Sequence, residues 1–276
     1  MQSIETNKKP VPEAVDNTDW LKTVAIILVS IDHIGYFFIA NDQWWSTFGR
    51  LAAPVFFFLL GFSQSRKVPL KWIWLGIFLT LLDSWNADWA WMAPNILLSL
   101  ALIRWIRPHV QNLVQRSGWP ALALVASALI LVLPIAGNVV EYGAEGWLWA
   151  LFGLCQRMYV DSRAGTGLAS TANDRAPEAR NLGLMRLLAC LVAAVIYIWQ
   201  EQVEFSFSQV HFTALIFGIG VLSFSLCVFL RGPSRIQPPE PIASALHFIG
   251  RHTLEIYAIQ LAGFELIIKF IPSLAA

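Results

Sequence analysis

Apolar runs separated by short polar breaks organise this chain from about residue 20 onward. They lie at roughly 20–40, 48–65, 70–84, 92–106, 119–136, 144–160, 183–200, 209–230 and 246–272. A helix rises about 1.5 Å per residue and needs about 20 apolar residues to cross a bilayer. The pattern therefore predicts an all-α fold, a polytopic membrane helical bundle of about nine transmembrane helices. The third and fourth runs are short for a full crossing and suit tilted helices or helices lining a cavity. Pro54 within the second run predicts a kink or loosened backbone there. Residues 1–19 are polar, carry Pro10 and Pro12, lack a signal-like apolar run, and read as a flexible tail. Residues 20–276 read as one transmembrane domain, with a mobile loop near 161–181 rich in Gly, Ala, Ser and Thr.

Composition agrees with this reading. Hydrophobic residues make up 57% of the chain and charged residues 13%, with a mean hydropathy of +0.58; a soluble domain carries about 25% charge. A net charge of +1 gives no reason to expect nucleic acid. Cys155, Cys190 and Cys227 fall in apolar runs without metal spacing and read as small core residues. The basic residues set an orientation. Seventeen of the nineteen Lys and Arg fall in the tail or in alternate connections, leaving Arg50 and Lys269 on the other side. The positive-inside rule then puts the N-terminus and the 161–181 loop in the cytoplasm and the C-terminus outside. The opposite connections are acidic and tryptophan-rich, with Trp44, Trp45, Trp85, Trp89, Trp91, Glu141, Glu145, Glu201 and Glu204. Tryptophans at that level fit an interfacial belt or the lining of an acceptor entrance, and the belt is their commoner placement.

Against this background Asp32-His33 is the most informative pair. An ionisable group inside a membrane helix is costly unless paired or hydrated, so it marks a candidate site. His33 lies about 13 residues into its span, roughly 20 Å deep. Adjacent residues on a helix point about 100° apart, so Asp32 can meet a neighbouring helix while His33 faces a cavity. Arg50 opens the second span after a short connection, which makes Asp32 its geometric partner. His33 is the candidate general base. Asn95 and Tyr142 open later spans on the same side. On the opposite side Arg251 and Glu255 stand at i and i+4 and are expected to pair. Arg251, Arg231 and Arg235 could meet an anionic cofactor there. Walker, dinucleotide, HExxH and GxSxG motifs are lacking, as is a metal-spaced Cys/His set.

Taken in order, these motifs resemble the TraX family of membrane proteins. The likeness rests on Asp32-His33-Ile34-Gly35 and on Gly49-Arg50-Leu51-Ala52 with Pro54 and Phe56. It continues through Asn95-Ile96-Leu97, Glu141-Tyr142-Gly143 with Gly146, and Arg251-His252-Thr253-Leu254-Glu255-Ile256-Tyr257. The family's namesake acetylates the N-terminus of conjugative pilin. A more distant likeness is to transmembrane acyltransferases such as the heparan-α-glucosaminide acetyltransferase relatives, which use a membrane histidine and acyl-CoA. The resemblance implies an enzyme of the bacterial inner (cytoplasmic) membrane with acetyl-CoA as co-substrate and no metal. The acceptor would be a protein amine, such as a pilin N-terminus, or a glycan hydroxyl. It implies catalytic roles for His33, Asp32 and Arg50, acceptor or oxyanion contacts from Asn95 and Tyr142, and CoA contacts from Arg251, Arg231, Arg235 and Tyr257. Direct transfer and an acetyl-His33 intermediate both fit. Two positions depart from the pattern: Gln260 stands where many relatives have histidine, and His252 where a tyrosine is common. The alternative reading is a proton-coupled transporter or flippase using Asp32-His33 and Arg50. Small residues such as Gly218 and Gly220 leave an oligomer open.

Overall fold

The computed structural model describes residues 14–39, 42–90, 92–164 and 172–274, with the side chains at 138, 172–178 and 272 excepted. These residues form eleven α-helices and one 3₁₀ turn. In chain order the helices are α1 (Asn17–Phe38), α2 (Gln43–Gly49), α3 (Ala52–Phe62), α4 (Leu70–Asn86), α5 (Ile96–Ser117) and α6 (Trp119–Val139). They continue with α7 (Gly143–Arg163), α8 (Ala172–Phe205), α9 (Gln209–Cys227), α10 (Glu240–Arg251) and α11 (Thr253–Phe270). Among the described residues, five segments are long and apolar enough to cross a membrane: α1, the α2–α3 pair, and the apolar parts of α6, α8 and α9. Their outward faces stay apolar; Leu131, Phe217 and Phe224 are each more than 70% exposed. Such surface is unsuited to water and suited to lipid.

α7 is the central helix. Trp149 and Phe152 are fully buried, and Leu148, Leu154 and Cys155 nearly so. Its closest approach is to α3. A side-chain carbon at Gly153 would stand 2.2 Å from the Phe58 carbonyl oxygen, so only glycine lets these two backbones meet. α8 packs on the other side through Tyr197 and Ala193, both fully buried. Cys155 and Cys190 belong to this core.

Several boundaries differ from the hydropathy reading. The tail gives way to structure at residue 14 rather than 20. Val15 is fully buried, and Asp16 and Asp19 form a reciprocal capping box that starts α1 at Asn17. The rest of the expected tail, 1–13, lies outside the described residues. Much of the expected 161–181 loop is helical, since α7 runs to Arg163 and α8 starts at Ala172; residues 165–171 lie outside the described residues. The last apolar run is two helices that meet at His252. That break interrupts the expected Arg251–Glu255 register, and Glu255 instead pairs with Lys71 at 2.5 Å.

Candidate active site in the far half of the bundle

The second apolar run breaks after Gly49, and the break has a chemical cause. Pro54 has no N–H and its ring crowds the carbonyl four residues earlier, that of Arg50. The kink expected from Pro54 thus falls at Arg50–Leu51, between α2 and α3. The Arg50 carbonyl is satisfied from elsewhere: the Tyr197 hydroxyl of α8 donates to it at 2.7 Å.

Arg50 is thereby fixed at a helix break with its side chain turned inward, 14% exposed. Its Nη2 donates to Asp32 Oδ2 at 2.7 Å and its Nε to Asp32 Oδ1 at 3.3 Å, a two-pronged pair in which Asp32 is 6% exposed. Nη1 donates to the Tyr142 hydroxyl at 3.0 Å. The guanidinium also lies 4.6 Å from the centre of the Phe205 ring. Gly49 makes the pair possible. A side-chain carbon there would sit 2.2 Å from Asp32 Cβ and push α1 away from α2. Tyr142 turns the chain into α7 with φ +57°, a conformation an aromatic residue rarely adopts and one that needs its surroundings to hold it.

A second carboxylate joins this group. Glu201 Oε2 stands 4.0 Å from Arg50 Nε, the residue is 3% exposed, and that oxygen accepts no hydrogen bond among the described residues. The pattern of apolar runs predicts Glu201 in an outer connection. The structure buries it, because α8 continues to Phe205 instead of ending near residue 200. The available signal was its spacing from Tyr197: i and i+4 on one helix face. Tyr197 was also missed, since nothing local marks a tyrosine in an apolar run as a carbonyl's partner. Glu141 and Glu145 are likewise drawn in. Glu141 Oε2 accepts the Ile96 N–H at the start of α5 at 2.7 Å, and Glu145 is 7% exposed.

His33 faces the other way on α1. Its ring centre is 5.6 Å from that of Tyr257 and 6.4 Å from that of Phe37. Among the described residues it makes no hydrogen bond, and its Nδ1 is buried without a partner. Asp32 therefore does not orient the imidazole; it holds Arg50. One turn earlier Ser30 donates to Gln260 Oε1 at 3.0 Å, so the residue that replaces the expected histidine bonds to α1 just below His33.

The remaining candidates divide. Asn95 caps α5 by accepting the Leu97 N–H at 3.2 Å, while its Nδ2 donates to the Tyr257 hydroxyl at 3.1 Å. The amide thus joins α5 to Tyr257, and one of its two N–H groups is used by neither bond. Tyr257 is 7% exposed and belongs to the His33 side of the molecule, on the face of α11 turned to α1 and α5. The resemblance groups it with Arg231, Arg235 and Arg251. Those three are exposed around the start of α1, where Asn17 Nδ2 donates to the Leu230 carbonyl and Lys22 to the Gly250 carbonyl.

The family model described as TraX protein matches residues 17–220, which takes in Asp32, His33, Arg50, Asn95, Tyr142, Tyr197 and Glu201. Protein TraX of Escherichia coli is 29% identical over 186 residues, covering 64% of this chain and 63% of that protein. Protein TraX of Escherichia coli strain K12 is 26% identical over 184 residues, with the same coverage. An uncharacterized protein of Rickettsia prowazekii, RP591, is 28% identical over 125 residues, 45% of this chain and 50% of that protein. The chain thus spans just under two thirds of the two TraX proteins it matches. No solved structure matches.

Proposed function

The chain belongs to the TraX family, and on that footing we propose that it is an integral membrane acyltransferase. It moves an acetyl group from cytoplasmic acetyl-CoA to an amine or hydroxyl on the outer side of a bacterial inner membrane, such as a pilin N-terminus or a glycan. In this reading the N-terminus is cytoplasmic, the C-terminus is outside, and about nine spans cross the bilayer. The observation that carries the proposal is His33: an imidazole with no hydrogen bond among the described residues, within a buried setting, on the helix that also carries the Asp32–Arg50 pair.

An imidazole so placed is available for proton transfer. His33 takes the acceptor's proton as its nitrogen or oxygen attacks the thioester carbonyl. The carbon–sulfur bond breaks, CoA leaves as thiolate, and the imidazolium returns the proton to it. Charge that develops on the carbonyl oxygen needs donors. Arg50 has five N–H groups, of which three are engaged by Asp32 and Tyr142. Tyr142 accepts from Arg50, which leaves its own O–H to donate. Asp32 and Gly49 position Arg50 for this work. Arg231, Arg235 and Arg251 are the candidates for the phosphates of CoA on the cytoplasmic face. His33 lies eleven residues beyond Lys22 on α1, about 16 Å along the axis, so the thioester has to reach into the bundle.

Labelled acetyl-CoA added to membranes carrying His33→Ala tests the assignment. The expected result is transfer reduced by about 10²-fold or more, the contribution of a positioned general base, with an unchanged melting temperature in detergent. Full transfer by that variant overturns it. A rise in melting temperature of the wild type with acetyl-CoA is also expected, since a ligand that binds only the folded state stabilises it.

A further inference from the structure

At the end of the bundle where α1 begins, α7 and α8 form an open cleft of about 340 Å³ whose lining includes Tyr159, Arg163, Arg180, Gly183, Arg186 and Leu187. Its three guanidinium groups have no carboxylate partner among the described residues. Arg186 is built in. Its Nη1 donates to Gln156 Oε1 at 2.7 Å and to the Cys227 carbonyl at 2.6 Å, and its guanidinium lies 3.9 Å from the centre of the Tyr159 ring. Its Nε is buried with no partner among the described residues. Arg163 donates to the Tyr159 hydroxyl at 3.2 Å, which turns a second guanidinium toward the same ring. Capping the end of α9 accounts for one arginine. It leaves two more cations in the cleft with no carboxylate beside them among the described residues.

One turn further along α8 lies a second, narrow apolar groove lined by Leu122, Ala126, Leu151, Leu188 and Val192, between α6, α7 and α8. Leu184, Leu187, Leu188 and Leu191 on the same helix are about half exposed. Cations at one end and an apolar track leading away along a membrane helix match the two halves of one kind of molecule. We propose that this cleft binds an anionic phospholipid, its headgroup phosphate against Arg163, Arg180 and Arg186 and an acyl chain in the groove. A basic pocket between membrane helices is suited to such a headgroup, and guanidinium matches phosphate oxygens in geometry as well as charge. A soluble phosphate compound would use the arginines and leave the groove idle. The proposal does not rest on acetyl transfer.

The test uses the full chain purified in neutral detergent, titrated with dioleoylphosphatidylglycerol or with dioleoylphosphatidylcholine, and read by melting temperature and by lipid retained in native mass spectrometry. Phosphatidylglycerol is expected to raise the melting temperature and to be retained, and phosphatidylcholine to do neither. Arg163 and Arg180 are exposed, so Arg163→Gln with Arg180→Gln leaves the core intact. Each cation near an anionic lipid is worth about fivefold in affinity, so this double variant is expected to bind phosphatidylglycerol about thirtyfold more weakly. Ala126→Phe, which fills the groove and keeps all three arginines, is expected to weaken it as well. Equal responses to the two lipids, wild-type affinity in the double variant, or displacement of the lipid by adenosine 3′,5′-bisphosphate would each overturn the proposal.

Discussion

Arg50 and Arg186 are both drawn into the bundle, one in each half, and they are held in opposite ways. Arg50 meets two carboxylates, Asp32 at 2.7 Å and Glu201 at 4.0 Å, and a tyrosine hydroxyl. Arg186 meets a neutral amide, a backbone carbonyl at the end of α9, and an aromatic face. Arg107 follows the second pattern, donating to the Gly61 carbonyl near the end of α3 at 2.8 Å. A carboxylate-locked arginine is fixed in place with its charge compensated, and it serves geometry. An arginine held by carbonyl oxygens caps a helix while its charge still reaches outward. That difference separates a prearranged site in one half from an anion-attracting surface in the other.

The sharpest way to break the comparison is to remove one partner on each side. Asp32→Ala leaves the Arg50 guanidinium buried without its two-pronged partner, and losing one member of a buried ion pair costs about 3–5 kcal/mol. Tyr159→Leu takes the aromatic face from Arg186, and a cation–π contact of that kind is worth about 0.5–2 kcal/mol. Thermal melts of both variants in one detergent should therefore show the larger drop for Asp32→Ala. Equal drops would mean that Glu201 and Tyr142 suffice to hold Arg50.

A smaller effect is expected from the backbone contact that brings the pair together. At Gly49 an added methyl group meets Asp32 Cβ at 2.2 Å, whereas at Gly220 nothing lies within 4 Å. Overpacking of this kind costs about 1–3 kcal/mol. Gly220→Ala, in the interior of α9, is expected to be neutral or to stabilise by up to about 1 kcal/mol. If Gly49→Ala melts like wild type, α1 and α2 can part without loss, and the geometry of Arg50 does not depend on their closeness.

The Asp32–Arg50 contact was legible in the sequence because it is nearly local: two helices joined by a short connection, with the only acid of one apolar run and the only base of the next. Glu201 and Tyr197 were not legible, because they come from α8 and meet Arg50 about 150 residues away in sequence. Hydropathy finds the part of a helix that suits lipid and misses the part that leaves it. α5 continues past its apolar run through Arg107 and Pro108 to Ser117, and α8 begins at Ala172 in polar sequence. It also overlooks a break that keeps the apolar character on both sides, as at His252 between α10 and α11. The charge bias toward one set of connections was visible as a count. Which of those arginines cap helices and which share a cleft depends on how α7, α8 and α9 pack.

The weakest effect is expected where charges pair in the open. Lys71 Nζ and Glu255 Oε1 stand 2.5 Å apart, closer than Arg50 and Asp32, yet their side chains are 55% and 35% exposed. Water and salt screen such a pair, and its two long side chains lose freedom in forming it, so its contribution is about 0.2–1 kcal/mol. Lys71→Gln should lower the melting temperature slightly in dilute buffer and leave it unchanged at about 1 M salt, where the screening length falls to about 3 Å. The Asp32→Ala loss should persist at that salt, because ions screen a buried pair much less. A Lys71→Gln loss as large and as salt-resistant as that of Asp32→Ala would mean that α4 and α11 depend on this ion pair for their packing. In that case distance, and not burial, would be the better guide to which charge pairs hold this bundle together.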